Sequence, residues 1–347
     1  MKKTLFAALA LVSMVSCSNE EVLEVAQKEA IGFENAFVNN STRSVNDPSY
    51  TNTNLFQEFK VYGYVNGASL WTSGEDVTGT ALNGEWGYTN TQYWIAGGNY
   101  AFHALAPSMA ATSNSSTGLT LQFTNTDGKS DVLYATASRT NVPATGNTKV
   151  QFDFKHILSK VKFSFENAYN STSASIKVKD IKIHNSYATG TVSLSSNGIV
   201  WSAQTGSTTN PLAFGIATDV ESTTDATKEN TDNMFAYGIT RESQEELLLI
   251  PGAAPTQQVD DAEVTGYKVT FTVELYVSES LIDTYYHTVY VNFTPAPSNA
   301  YDIKAVINPE NIDPENPEGQ EAIQFTVTNI TDWEENNVLV EDEEEGA

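Results

Sequence analysis

Apolar and polar positions alternate along most of this chain. In "KVQFDFK" Val150, Phe152 and Phe154 fall on one face, and in "KVKFSFE" Val161, Phe163 and Phe165 do the same. "YKVTFTVELYV" aligns Val269, Phe271, Val273 and Leu275, and "TVYVNF" aligns Val289, Val291 and Phe293. "YDIKAVI" aligns Tyr301, Ile303, Ala305 and Ile307, and "AIQFTVT" aligns Ile323, Phe325 and Val327. A period of two is the signature of half-buried β-strands. Earlier strands are expected at "FKVYGYV", "NYAFHALA", "LTLQF" and "DVLYAT". In "SIKVKDIKIHN" the apolar set jumps from Ile176 and Val178 to Ile181 and Ile183, a one-residue slip at Asp180 that predicts a bulge or bend.

No stretch sustains a 3.6-residue period. Gly, Asn, Asp, Ser and Pro separate the strands at intervals that suit an all-β sandwich of antiparallel sheets. "KVQFDFKHILSKVKFSF" reads as two strands with a brief break near His156 and Ser159. A domain boundary is placed there, with one domain over residues 44–155 and a second over residues 156–347. Three segments read as exposed: the polar loop at 223–233, the proline-bearing crossing at 308–321, and the acidic run "EDEEEG" near residue 347.

The first residues have a different layout. Lys2 and Lys3 precede the apolar run "TLFAALALVSMV", as in a secretory signal peptide. That run is too short to span a bilayer, which takes ~20 apolar residues. It leads into "MVSC", whose Cys17 is the chain's one cysteine. A lipoprotein signal needs a cysteine at that place, because its thiol takes up diacylglycerol and becomes the new N-terminus. Residues 1–16 are therefore expected to be the lipoprotein signal, and Cys17 the lipid attachment point on the outer membrane. With no further cysteine, the exported domains must be stable without disulfides.

The formal charge of −25 argues against nucleic acid and against a basic membrane-binding face. The four histidines, His103, His156, His184 and His287, are scattered over strands or strand ends, and no pair has a metal-ligand spacing. There is no GxSxG elbow. Asp127 and Gly128 in "NTDGKSD" read as a hairpin turn rather than a phosphate or calcium loop. No catalytic constellation, metal or cofactor is expected. The aromatics of "WGYTNTQYWIAGGNY" have two readings: Trp86 and Trp94 can stack a glycan, or they can fill a sandwich core with Tyr88, Tyr93 and Tyr100.

The order of motifs carries a resemblance. Cys17 is followed by "AIGFENAF…STRS", "FKVYGYV", "WGYTNTQYWIAGGNYAFHALAP", "DVLYAT" and "VQFDFKHILSKVKFSF"; the chain then closes with "YDIKAVINPENI" and "IQFTVTNITDWEE". This resembles the fimbrillin family, the subunits of type V pili. The resemblance implies two transthyretin-like β-sandwich domains and export as an outer-membrane lipoprotein. It also implies cleavage of an N-terminal loop by an arginine-specific protease. The first strand is then lost, and a strand from another subunit fills the groove, so that subunits join head to tail.

Mapped onto this sequence, Arg43 in "VNNSTRSVNDP" is the implied cleavage site, Ser44 the new N-terminus, and residues 17–43 the propeptide with the released strand "EAIGFENAFV". The donor strand is expected from about Ile323 onward, although residues 330–340 offer only a broken apolar pattern. Partners would be other fimbrial subunits, the outer membrane through Cys17 and the protease. The alternatives are a tip or surface adhesin for a glycan or host protein, or an anchor that keeps its lipid.

Overall fold

Strands form where the alternation places them. The computed structural model describes residues 28–38, 58–80, 85–171, 173–207, 210–218, 233–313 and 323–330. Cys17, Arg43, Ser44, most of the loop at 223–233 and the acidic run at 341–346 lie outside these residues. Among the described residues the protein is all-β, with no helix.

The Val150–His156 strand buries every second residue, and the Ser159–Asn167 strand nearly does so. The break between them moves the chain from one sheet to another. The predicted slip in Ala174–Ile183 is a bulge: its register against Tyr267–Val277 shifts between Lys179 and Lys182. Asp180 takes φ +56° there, a left-handed backbone that a short polar side chain tolerates.

An eight-stranded sheet runs in the order Phe33–Val38, Val150–His156, Leu133–Arg139, Tyr100–Ala106, Glu58–Val65, Glu75–Thr80, Glu85–Gly87, with Ala68–Ser69 beside Glu58–Val65. Its central strands are buried on both faces. Phe59, Val61, Phe102 and Ala104 enter one cluster, and Tyr62, Tyr64 and Leu105 enter another. The strands Tyr100–Ala106 and Glu58–Val65 therefore read as almost continuous apolar runs.

A six-stranded sheet contains Ser159–Asn167, Ala300–Ile307 and Phe325–Ile330. A five-stranded sheet contains Ala174–Ile183, Tyr267–Val277 and Ser280–Val291. Between these two lies a core built from Phe163, Phe165, Phe214, Ile181, Phe271 and Ile303.

Among the described residues most ladders are antiparallel, but two are parallel: Phe33–Val38 on Val150–His156, and Ala300–Ile307 on Ser159–Asn167. The two strands flanking the break thus each accept a parallel neighbour from a remote part of the chain.

A four-stranded sheet takes strands from both sides of that break. Gly118–Thr124 pairs with Tyr187–Ser195 over seven residue pairs. Ile157 and Leu158, at the break itself, are fully buried beside Leu248 and Ile250. Asn125 Nδ2 donates to the Leu248 carbonyl at 2.9 Å, and the Leu248 amide donates to the Gly128 carbonyl at 2.8 Å. The turn at Asp127 and Gly128 forms, with Gly128 at φ +74°. It is not a hairpin, however, because the strands on either side of it belong to different sheets.

Candidate functional site

Residues 29–34 lie in a groove whose walls come from two distant segments. On one side the Ile31 amide donates to the Gln92 carbonyl at 2.8 Å, and the Trp94 amide donates to the Glu29 carbonyl at 2.9 Å. On the other side the Val150 amide donates to the Gly32 carbonyl at 2.7 Å. From there the parallel ladder sets Phe33 opposite Val150 and Val38 opposite Phe154, with an irregularity between Glu34 and Phe37.

The Glu29 carboxylate accepts from the amide and the side chain of Asn147, at 2.8 and 2.9 Å. Those hydrogen bonds hold its pKa below the usual carboxylate range. A Cβ at Gly32 would stand 3.0 Å from Cγ of Lys149, so the two segments run close together.

Ile31 and Phe33, two residues apart, both point inward and are each 1% exposed. Phe33 meets the rings of Phe59 at 5.9 Å, Tyr88 at 5.5 Å, Phe102 at 6.3 Å and Phe152 at 5.9 Å. Burying two such side chains stabilises the seated strand by roughly 3–6 kcal/mol. Among the described residues the strand is nonetheless at the sheet edge, paired along its ladder only with Val150–His156. Removing it would bare a trench of aromatic rings and a row of backbone donors and acceptors.

The aromatic stretch builds one wall of this groove. Glu75 is buried and holds it in place, accepting from the amides of Thr89 and Asn90 at 3.0 and 2.9 Å and from the Asn90 side chain at 2.8 Å. Tyr88 Oη donates to the Ile31 carbonyl at 2.7 Å.

Trp86 and Trp94 belong to the same core as Phe33. Trp86 packs on Phe59 at 5.0 Å, and Trp94 on Tyr100 at 4.7 Å with the Arg139 guanidinium 5.2 Å from its ring centre. Of the five aromatics in this stretch only Tyr93 is exposed, so protein groups occupy the faces that a sugar would need. Sequence reasoning did not find Glu75, because an acid shortly after Trp71 gives no local sign that it will anchor a loop.

A second edge strand lies at the end of the six-stranded sheet. Phe325–Ile330 pairs with Ala300–Ile307 at the end of its sheet. Phe325 packs on Phe163, Phe165 and Phe271 at 5.9, 6.0 and 5.8 Å, and Ile323 is buried. Ile323, Phe325 and Val327 thus repeat the inward alternation of Ile31 and Phe33. Phe325 and Val327 are only half-buried, where Ile31 and Phe33 are fully so.

The histidines are separate and packed. His103 Nδ1 accepts from Tyr134 Oη at 2.7 Å while its Nε2 donates to the Ser116 carbonyl at 3.2 Å, and burial lowers its pKa. His156 Nδ1 pairs with Asp131 at 2.5 Å. His184 Nε2 bonds Thr270 at 2.7 Å, and His287 stacks on Phe271 at 4.9 Å. Among the described residues no three His, Cys, Asp or Glu side chains gather to hold a metal, and no helix is long and apolar enough to cross a membrane.

Among the described residues the protein is all-β, with an N-terminal strand buried at a sheet edge. The fimbrillin-like profile matches residues 42–333, and the chain belongs to the fimbrillin-like family. No curated protein matches the sequence. Among solved structures, a candidate cell adhesion protein of Bacteroides uniformis is similar at 15% identity and a TM-score of 0.47, over 88% of this chain and 99% of that one. A fimbrial assembly protein of Parabacteroides distasonis is similar at 10% identity and 0.40, over 83% and 93%. The fimbrial anchor protein Mfa2 of Porphyromonas gingivalis is similar at 13% identity and 0.36, over 87% and 96%.

Proposed function

We propose that this chain is a structural, non-catalytic subunit of cell-surface fimbriae that polymerises by donor-strand exchange and supports adhesion. In this reading residues 1–16 are removed as a signal and Cys17 carries the lipid to the outer membrane. An arginine-specific protease cuts between Arg43 and Ser44. Residues 44–155 and 156–347 form two transthyretin-like sandwiches. The strand within residues 17–43 leaves its groove, and a strand from the C-terminal region of a neighbour replaces it.

The observation that supports this most is the seating of Ile31 and Phe33 on a sheet edge, twelve and ten residues before Arg43. A cut at Arg43 would leave that strand held by non-covalent contacts alone. Its replacement has to present the same alternation, and Ile323, Phe325 and Val327 do so.

The test is mass spectrometry of the surface protein's N-terminus, followed by protease treatment of the purified precursor. An N-terminus at Ser44 and a ladder of oligomers are expected, with both lost in Arg43→Gln. A cut chain that stays monomeric at every concentration overturns the reading. A second reading, an anchor that keeps its lipid, is favoured by the broken apolar pattern at 330–340. It predicts an acylated N-terminus at Cys17 instead.

A further inference from the structure

Within a chain of formal charge −25, one sheet face is basic. Ile176, Val178, Ile181 and Ile183 point into the core, as do Val269, Phe271 and Val273 on the next strand. Their neighbours Lys177, Lys179, Lys182 and Lys268 therefore stand on the outer face. The bulge at Asp180 matters here, because it keeps Lys182 on the same side as Lys177 and Lys179. Across the ladders Lys182 lies opposite Thr270, and Lys268 opposite Tyr290.

Lys179 bonds Glu274, which also accepts from Tyr276 Oη at 2.8 Å. Lys182 and Lys268 have no ion-pair partner among the described residues, whereas Lys177 lies across the ladder from Glu274 and shares that carboxylate's field with Lys179. Elsewhere Lys60, Lys129, Lys160, Lys162 and Lys304 each have a carboxylate nearby. The field of this face reaches His184, whose pKa is lowered by burial first and then by Lys268 and Lys182.

A second observation concerns where the chain passes. Ile330 lies opposite Ala300, so the chain beyond Ile330 starts from that end of its strand. There Tyr301 touches Phe293 at 5.3 Å, and Phe293 touches Tyr267 at 5.1 Å. Tyr267 directly precedes Lys268, whose carbonyl accepts from the His184 amide at 2.9 Å. The chain therefore passes beyond Ile330 at the same end of the sandwich as Lys268, His184 and Lys182.

After residues 331–340 comes the run Glu341, Asp342, Glu343, Glu344, Glu345. Ten linking residues reach roughly 33 Å when extended. Packed sheets stand about 10 Å apart, so the run has ample length to round the end of the sandwich.

We propose that the acidic run at 341–345 docks on the basic face of its own chain formed by Lys177, Lys182 and Lys268. Exposed ion pairs are individually weak, but the tether supplies a high local concentration of the acidic run. The contact is a salt-sensitive latch that holds the segment after Ile330 against its own subunit. It goes beyond the polymerisation reading and does not depend on it.

The test is carbodiimide coupling, which joins carboxylates to amines without a spacer, on a dilute mixture of isotopically light and heavy full chains. Couplings from residues 341–345 to Lys177, Lys182 or Lys268 are expected to exceed those to Lys28, Lys149 and Lys155 by about tenfold, the tethered run being concentrated at this face. They should join light to light and heavy to heavy. They should also fall away near 0.5 M salt, on the order of a Debye length of a few Å. In the triple variant Lys177→Gln, Lys182→Gln, Lys268→Gln the run should lose its preferred partner, while the Lys162–Glu242 coupling persists and reports an intact fold.

Coupling spread evenly over the lysines overturns the proposal. Light-to-heavy products also overturn it, and would assign the face to a second copy. Absent coupling, together with capture of the chain by an immobilised anionic polysaccharide that the triple variant escapes, overturns it in favour of a glycan.

Discussion

Phe33 lies over Phe152 with ring centroids 5.9 Å apart and planes 18° from parallel. The contact joins the N-terminal edge strand to Val150–His156, the strand it pairs with along its ladder. Phe33→Ala would forfeit the ring contacts with Phe59, Tyr88, Phe102 and Phe152. Large-to-small changes of this kind cost about 3–5 kcal/mol in a packed core. The intact variant should melt at a lower temperature. After proteolysis between Arg43 and Ser44 its N-terminal fragment should leave faster than the wild-type fragment, as followed by size-exclusion chromatography over time. Equal release rates would mean that the groove does not hold the strand through Phe33.

His287 makes stability depend on pH. Burial against Phe271 pushes its pKa from 6.5 down to about 4, partly countered by the Ile312 carbonyl and by Asp313. The folded protein holds this ring neutral, whereas the unfolded chain protonates it near 6.5. As pH falls through that window the unfolded state takes up the proton and the folded state does not, so stability drops. The loss should begin near pH 6.5, be complete near 4, and amount to roughly 3 kcal/mol. His287→Phe should remove this component from a plot of unfolding free energy against pH. An unchanged slope between pH 6.5 and 4 would refute the assignment.

Asp180 gives a test of the bulge. Its backbone sits at φ +56°, where a Cβ is tolerated in Asp but strained in β-branched residues. Asp180→Gly should be neutral or stabilising by up to ~1 kcal/mol. Asp180→Val should destabilise by about 1–2 kcal/mol. Both are measured by denaturant unfolding, and a Val variant as stable as the Gly variant would show that the bulge is not held in that conformation.

This bulge is legible in the amino-acid pattern alone, because a slip in a period of two has no other simple cause. So are the Val150–His156 and Tyr267–Val277 strands, whose alternation is local. Pairing is not legible. The parallel ladders of Phe33–Val38 and Ala300–Ile307 depend on which distant edge is free, and no residue within a strand encodes that. The same holds for Gly118–Thr124, which crosses to Tyr187–Ser195. The segment after Asn308 reads as a surface crossing, yet Ile312 is buried in the core and Asn311 Nδ2 donates to the Val306 carbonyl at 2.9 Å. One apolar residue among prolines and acids carries too little pattern to announce that. For Trp86 and Trp94 the sequence leaves the core and a sugar platform side by side, since an indole suits both. Only the positions of Phe59, Tyr100 and Arg139 show what covers the rings.

The ladder between Gly118–Thr124 and Tyr187–Ser195 ties strands from both sides of the break at His156 to Ser159, and the two strands run close together at Gly118. A Cβ there would stand 2.3 Å from the Leu194 carbonyl oxygen, a backbone atom that cannot swing aside. Gly118→Ala must push the two strands apart at the Gly118 and Ser195 pair. Overpacking of this kind costs about 1–3 kcal/mol. Gly87→Ala serves as the control: it too sits in a strand, and a Cβ there meets nothing within 4 Å. Gly118→Ala should lower the unfolding midpoint, with hydrogen exchange rising first at the amides of Gly118–Thr124 and Tyr187–Ser195. Gly87→Ala should leave both unchanged. Equal behaviour of the two variants would show that the shared sheet yields at Gly118 without loss, and that the two sides of the break are joined mainly through Ile157, Leu158 and Leu248.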